Sequence, residues 1–150
     1  MVKIAAWHFA YDGLLSAELL AGLDQAVEQE RWGEYLAELP ADDRMWVAEE
    51  GEIVGFARTG PSPHPDLPEA AGEVHGLYVD PGRIGTGRGR ALFGHATADL
   101  VARSFAPIVV WHFVGNERAA RFYEHAGFCL DGAIRTSEFG VDEVRRRFDP

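Results

Sequence analysis

Residues 74–114 constrain the fold of this 150-residue chain more than any other segment. A β-type run over 74–79 ends before Pro81, and a glycine-rich turn then opens a helix predicted over 88–105. The continuous apolar run over 108–114 is typical of a strand that is buried on both faces of a parallel sheet. A strand–helix–strand unit of this kind crosses over right-handedly. The segment therefore predicts two parallel strands covered by a helix.

The segments on either side predict antiparallel strands. Apolar stretches over 45–48 and 53–57 flank Gly51, which can adopt the positive φ of a tight hairpin turn. Two further β-like stretches lie at 128–135 and 141–148. Antiparallel strands before and after a central parallel pair predict a mixed, mostly antiparallel α/β sheet. We expect one domain spanning all 150 residues, because no linker or repeat interrupts the chain.

Helical spacing of apolar residues predicts three more helical regions. The first covers residues 2–11. The second begins at the N-cap Ser16 and runs to Leu39 as one long or broken helix. The third begins after Asn116 and ends near Gly127. We therefore expect helices on both sides of the sheet.

Residues 60–72 hold four prolines and two glycines. Proline has no N–H and cannot donate to a sheet ladder. We expect this whole segment to be a surface loop that joins no ladder and borders the substrate entrance.

The composition excludes several classes of function. The net charge of −10 argues against nucleic-acid binding, which needs clustered Lys and Arg. The apolar run over 108–114 is far shorter than the roughly 20 residues that span a bilayer, so we expect no membrane contact. The single Cys129 and the absence of a secretory pattern indicate a cytoplasmic protein. The six histidines show no short ligand spacing, so no metal is predicted.

The turn over 81–90 carries four glycines and three arginines between a strand and a helix. Glycines let successive N–H groups face one concavity, and the helix N-terminus adds partial positive charge. The turn therefore indicates an anion site, with an ordinary connection bearing exposed arginines as the simpler interpretation. A P-loop requires Lys and Ser or Thr after its last glycine, but Arg90-Ala91 stand there. A dinucleotide fingerprint starting at Gly85 requires glycine at position 90, where this chain has arginine, so the dinucleotide-binding interpretation is weak.

Two segments together resemble the GNAT superfamily of N-acetyltransferases. Residues 77–81 followed by Gly85-Thr86-Gly87-Arg88-Gly89 are similar to the acetyl-CoA signature of that family. Residues 116–123, followed by Gly127-Phe128, resemble its second block, in which an asparagine opens a helix that carries a tyrosine. There are two departures. Ile84 stands where the family usually has Gln or Arg, and the chain begins in a helix where the family usually has a strand.

The resemblance implies the GNAT fold, a mostly antiparallel mixed sheet with a splayed parallel pair, here lacking the usual first strand. It implies transfer of an acetyl group from acetyl-CoA to a primary amine. The missing strand would leave a sheet edge open, which suggests a possible homodimer. The expected acetyl-CoA contacts are Leu77, Tyr78, Val79, Ile84, Gly85, Thr86, Gly87, Arg88, Gly89, Arg90, Asn116 and Tyr123.

The same resemblance implies that Tyr123 donates a proton or a hydrogen bond to the sulfur of the departing thiolate, as the candidate general acid. The acceptor amine must lose a proton before it attacks, since only about one part in a thousand of a lysine-like amine is neutral near neutral pH. Glu73 is the candidate base, acting through water, and His75, two residues along the same strand face, is its substitute. The expected acceptor-side residues are Trp7, Tyr11, His75 and His112.

Two other functions remain open at this point. A non-catalytic acyl-CoA-binding sensor or regulatory module would keep the glycine turn but would not need Tyr123 or Glu73. A nucleotide-binding domain would show competition by NAD or ATP for its ligand site. The acceptor itself is also open, with polyamines, aminoglycosides, amino acids and protein N-termini as candidates, because loop shapes determine acceptor choice.

Overall fold

The computed structural model describes residues 2–150, which contain five α-helices, one short 3-10 helix and six strands. The helices are α1 (Val2–Tyr11), α2 (Ala17–Ala21), α3 (Gln25–Ala37), α4 (Arg88–Ala102) and α5 (Glu117–His125), and a 3-10 turn covers Pro81–Arg83. The strands are β1 (Arg44–Glu49), β2 (Ile53–Pro61), β3 (Gly72–Val79), β4 (Ile108–Phe113), β5 (Cys129–Thr136) and β6 (Asp142–Phe148).

All six strands form one sheet in the order β1-β2-β3-β4-β6-β5. Only β3 and β4 pair in parallel, and α4 connects them. The other pairs are antiparallel, which confirms the predicted mixed, mostly antiparallel sheet. The parallel pairing runs from Gly72–Ile108 to Val74–Val110 and then stops. Beyond that point the two strands separate, so the sheet opens near its centre.

A β-bulge in β3 precedes this opening. Arg58 of β2 pairs with Gly76, whereas the next residue, Thr59, pairs with Val74. His75 is therefore one extra residue in β3. A bulge of this kind bends the strand that contains it and increases its local twist, which turns the second half of β3 away from β4.

The expectation that residues 60–72 join no ladder was wrong at both ends. Gly60 and Pro61 pair with Glu73 and Gly72, so the loop covers only residues 62–71. The Ser62 N–H donates to the Ala71 carbonyl on the β3 side. Successive residues of a strand point their N–H groups to opposite sides, so the nitrogen of Pro61 points toward the β1 side of β2. The first residue of β1, Arg44, pairs with Thr59, so β1 does not extend as far as Pro61. Proline is tolerated where no N–H is needed.

The second helical region is broken, as one of the two sequence alternatives allowed. The Ser16 side chain accepts the Leu19 N–H at the start of α2, and Asp24 accepts two N–H groups at the start of α3. Residues 2–43 contain helices and no strand, so the sheet begins at β1. None of the helices in residues 2–150 has the length and hydropathy of a bilayer-spanning segment.

Helices cover the sheet on both sides. Val110 and His112 of β4 face α4 and α5, while Trp111 and Phe113 face the opposite side, because side chains alternate along a strand. The core on the α4 and α5 side contains Val74, Phe93, Leu100, Ile108, Val110, Tyr123 and Phe128. The core on the α1 and α2 side contains Trp7, Leu15, Leu20 and Phe113. Both cores reach β4, next to the opening in the sheet.

Candidate active site

A cavity of about 580 Å³ lies where β3 and β4 separate. Its walls come from both strands and from the helices on both sides of the sheet, so the cavity passes through the sheet. The lining residues are Ala6, Phe9, Ala10, Tyr11, Leu77, Tyr78, Val79, Ile84, Gly85, Gly87, Gly89, Arg90, Trp111, His112, Phe113, Asn116, Arg118, Ala119, Phe122, Tyr123 and Glu143.

The glycine turn before α4 leaves backbone donors at the cavity wall. Gly85 and Gly87 have φ values of 81° and 86°, a region that L side chains rarely adopt, and a Cβ on either would meet open space. Gly87 caps α4 without any side-chain hydrogen bond. Within residues 2–150, the N–H groups of residue 85 and residues 87–90 donate to no acceptor. Free amides at a helix N-terminus bind anions, so the turn fits a diphosphate.

The arginines near this turn have two different roles. Arg90 lies on the cavity wall together with Arg118 of α5. Arg83 and Arg88 instead form ion pairs with Glu50 in the β1–β2 turn. Arg90 and Arg118 are therefore available to an anionic ligand, whereas the other two hold the glycine turn against the neighbouring hairpin.

Tyr123 is positioned by the capped helix α5. The Asn116 side chain accepts the Ala119 N–H at 3.1 Å and fixes the start of this helix. The Tyr123 ring packs against Phe93, with ring centres 5.3 Å apart, and its other contacts also belong to the core. No hydrogen bond to the Tyr123 hydroxyl is present within residues 2–150, and the Tyr123 side chain lines the cavity. Burial raises the pKa of Tyr123, so the phenol stays protonated and can donate.

His112 is neutral and has no free lone pair. Arg146 Nε, which can only donate, lies 3.0 Å from Nε2 of His112, and Nδ1 lies 3.1 Å from the Phe113 carbonyl. These two contacts require a proton on Nδ1 and none on Nε2. Burial lowers the pKa of His112, and the charge of Arg146 lowers it further. His112 therefore serves as a polar wall of the cavity and cannot take up a proton there without losing the bond from Arg146.

The wall on the α1 side is aromatic and contains Glu143. Tyr11 packs edge-on against Phe113, with ring centres 4.8 Å apart. Glu143 pairs with Phe113 across β4 and β6, so both side chains lie on this side of the sheet. Arg135 donates to Oε2 of Glu143 at 2.7 Å, while Oε1 accepts no hydrogen bond within residues 2–150. Trp7 lies outside the cavity wall and packs against Tyr11.

Glu73 and His75 also lie outside the cavity wall. Glu73 is buried, and its carboxylate contacts the Ser62 hydroxyl at 3.0 Å, His64 at 3.2 Å and His75 at 3.3 Å. Burial alone would raise the pKa of Glu73, but the hydrogen bond and charge of His75, with His64 and Ser62, lower it overall. The ionised carboxylate has donors in Ser62 and His75, whereas Nε2 of His64 accepts the Trp111 N–H at 2.9 Å and therefore does not donate to Glu73. Any action of Glu73 on a substrate would have to pass through water.

The cavity collects most of the residues that the sequence had singled out, from segments far apart in the chain. The exceptions are Trp7, Glu73, His75, Thr86 and Arg88. Sequence reasoning missed Phe9, Arg118, Phe122 and Glu143. Arg118 and Phe122 are four residues apart and share one face of α5, next to the face that carries Ala119 and Tyr123, and this spacing could have identified them. Glu143 carried no such signal, because its side of the sheet depends on the register of β6 against β4.

The family model described as "Acetyltransferase (GNAT) family" matches residues 7–128. An uncharacterized N-acetyltransferase of Mycobacterium tuberculosis is 32% identical over 121 residues, which cover 79% of this chain and 72% of that protein. A mycothiol acetyltransferase of Beutenbergia cavernae is 44% identical over 63 residues, 41% of this chain. This second match spans only 21% of the relative's length.

Among solved structures, the PaiA N-acetyltransferase of Thermoplasma acidophilum, in complex with coenzyme A, superimposes with a TM-score of 0.70 at 15% identity. The match covers 98% of this chain and 89% of that protein, which establishes a shared fold. The family match, the relatives and this fold agree with one another. The chain therefore belongs to the acetyltransferase (GNAT) family, whose members carry out acetyl-CoA-dependent N-acetylation.

Proposed function

We propose that this protein transfers the acetyl group of acetyl-CoA to a primary amine by direct attack of the amine on the thioester. The observation that carries the proposal is the cavity through the sheet. It connects the unpartnered amides of the α4 turn with the Tyr123 hydroxyl and, beyond the opening, with the aromatic wall that includes Tyr11. A cavity open to both sides of the sheet lets two substrates meet without a covalent enzyme intermediate.

The residues present fit acetyl-CoA as the acetyl donor. The free amides of residues 85 and 87–90, with Arg90 and Arg118, suit its diphosphate. Residues 77–79 of β3 line the cavity where β4 no longer pairs with them, which suits the amide-containing arm of the molecule. Bound acetyl-CoA supplies the acetyl group and leaves as a thiol.

Tyr123 is proposed as the proton donor. The amine nitrogen forms a bond to the carbonyl carbon, the carbon–sulfur bond breaks, and the sulfur needs one proton. Burial keeps the phenol of Tyr123 protonated, and its hydroxyl has no competing acceptor within residues 2–150. The proton that the amine loses goes to solvent or to a carboxylate. Glu73 could receive it only through a chain of water, because its side chain does not line the cavity.

The experiment is a comparison of Tyr123→Phe with the wild type. A thiol-release assay with acetyl-CoA and a panel of polyamines, aminoglycosides, amino acids and peptides first identifies a working acceptor. We expect Tyr123→Phe to lower kcat about 100-fold, the usual scale for loss of a general acid, while calorimetry gives an acetyl-CoA Kd close to that of the wild type.

Tyr35→Phe is the matched control. The Tyr35 hydroxyl donates to Asp43 and does not line the cavity, so kcat should stay near the wild-type value. An unchanged kcat in Tyr123→Phe would remove Tyr123 from the mechanism. A wild-type protein that binds no acetyl-CoA, or releases no thiol with any amine, would contradict the proposed function itself.

A further inference from the structure

We infer that Glu143 binds the ammonium group of the acceptor, and that the acceptor is a primary amine on an apolar or aromatic body with no carboxylate beside the nitrogen. The inference rests on the proposed function and specifies its acceptor. It starts from the charges on the cavity wall. Among the described residues that line the cavity, Glu143 supplies the carboxylate, whereas Arg90 and Arg118 supply the guanidinium groups.

These charges come from elements on different sides of the sheet. Arg90 and Arg118 belong to α4 and α5, and the Arg118 guanidinium reaches across the cavity wall to lie 4.9 Å from the centre of the Phe9 ring on α1. Glu143 belongs to the opposite side, beside Phe113 and Tyr11. An anionic diphosphate and a cationic amine are therefore attracted to opposite sides of the opening, with Tyr123 on the wall of the same cavity.

Glu143 is held in place and keeps one oxygen free. Arg135 donates to Oε2, and its guanidinium lies 4.1 Å from the centre of the Trp111 ring, which restricts both side chains. Oε1 has no hydrogen-bond partner within residues 2–150, and the Glu143 side chain is 16% exposed. Arg135 does not line the cavity, so its charge orients Glu143 but does not face a ligand there. The free oxygen can accept a hydrogen bond from an ammonium group.

The rest of this wall selects against an acceptor carboxylate. The rings of Tyr11, Tyr78, Trp111 and Phe113 line the cavity around Glu143. Two guanidinium groups stack on Trp111 from outside the cavity wall, and both are already paired, Arg135 with Glu143 and Arg145 with Asp66 and Asp131. Aromatic faces attract cations. A substrate carboxylate would be buried here next to the Glu143 charge and without an unpaired counter-ion beside it, which is unfavourable. Free amino acids should therefore be poor acceptors.

The test compares 2-phenylethylamine with phenylalanine, which differ only in the carboxylate. With wild-type protein and acetyl-CoA, we expect kcat/KM for 2-phenylethylamine to exceed that for phenylalanine at least about 30-fold, equivalent to about 2 kcal/mol. Glu143→Gln should raise KM for 2-phenylethylamine at least about tenfold and reduce the ratio between the two amines to within about threefold. A purely structural role of Glu143 would not change this ratio.

Glu138→Gln removes the same charge from the exposed β5–β6 turn and should keep the wild-type ratio. Acetyl-CoA calorimetry on Glu143→Gln shows whether the variant is folded and still binds the donor. The inference is overturned by equal use of both amines by the wild type, by acetylation of other amines but neither probe, or by an unchanged ratio in Glu143→Gln. Absence of acetyl-CoA binding in the wild type would instead refute the proposed function.

Discussion

The two sides of the sheet build their parts of the cavity in different ways. On the α4 and α5 side, the main groups come from two short segments, residues 85–90 and 116–123, and many of them are backbone amides. On the α1 side, contacts join distant parts of the chain. Trp111 donates to His64, 47 residues away, and Arg145 donates to Asp66, 79 residues away. The first side depends on local conformation, whereas the second depends on the whole fold.

Arg145 illustrates how the second side is assembled. This buried guanidinium on β6 donates to Asp131 of β5 and, through two nitrogens, to Asp66 of the loop over 62–71. The loop is thereby attached to the sheet beside Trp111. A wall made from such side-chain contacts can change with single substitutions in several distant segments. The glycine turn depends less on distant side chains, because its donors are backbone amides, although Glu50 also holds it through Arg83 and Arg88.

The largest effect is expected from Gly87→Asp, which tests the role of backbone amides. The new carboxylate would occupy the open space beside the free N–H groups of α4 and repel an anionic ligand. We expect the acetyl-CoA Kd, measured by calorimetry, to rise roughly 100-fold, or about 2.7 kcal/mol. Gly140→Asp is the matched control, because Gly140 also has a positive φ, of 75°, and open space at its Cβ, but lies in the β5–β6 turn. Equal losses in both variants would refute the anion site.

A smaller effect is expected from Glu73→Gln on the side built by distant contacts. Loss of charged hydrogen bonds to Ser62 and His75 should lower the free energy of unfolding by about 2 kcal/mol at pH 7, measured by urea titration. Acetyl-CoA affinity should stay near the wild-type value. Glu69→Gln, at an exposed carboxylate of the same loop, should leave both quantities unchanged.

The same variant has a predicted pH dependence. The folded protein lowers the pKa of Glu73 below its ordinary value of 4.5. The unfolded chain therefore binds a proton first as the pH falls, and the stabilisation from this carboxylate is complete above about pH 4.5 and is lost as the pH falls through the folded pKa. The difference in stability between wild type and Glu73→Gln should narrow in that range. A constant difference down to pH 3 would show that the charge of Glu73 does not stabilise the fold.

The smallest effect is expected from Asn116→Ala at the capped start of α5. Loss of the bond to the Ala119 N–H should lower stability by about 1 kcal/mol. Acetyl-CoA affinity should fall much less than in Gly87→Asp. Asn116→Ser keeps an acceptor oxygen for the cap without adding a charge to the cavity wall, and it should restore stability. If Asn116→Ser is stable but binds acetyl-CoA as weakly as Gly87→Asp, then the start of α5 binds the ligand directly and does not act only as a structural cap.

Local patterns predicted the parts of this molecule that local physics determines. The hairpin at Gly51, the parallel pair around α4 and the caps Ser16 and Asn116 follow from turn chemistry, hydrophobic period and capping. Pro61 was misjudged, because tolerance of proline depends on where the neighbouring strand ends.

The wall of the cavity on the α1 side was the hardest part to predict. Alternation along the strand placed Glu73 and His75 together, and they are in contact, but it could not tell that the bulge and the loop would enclose them. Glu143 could be assigned to the cavity only from the register between β4 and β6. Registers and bulges depend on the packing of whole strands, so a single sequence carries little information about them.

The single extra residue in β3 has a consequence for how this protein can diversify. The ladder between β3 and β4 ends just before His75. The opening is therefore determined by how the strand backbones pair, and it does not depend on any one side chain. Substitutions along its walls can therefore change the shape and charge of the cavity while the opening itself persists. Deletion of His75, in contrast, would remove the register shift between β2 and β3, and we expect it to alter the direction of β3 at the opening.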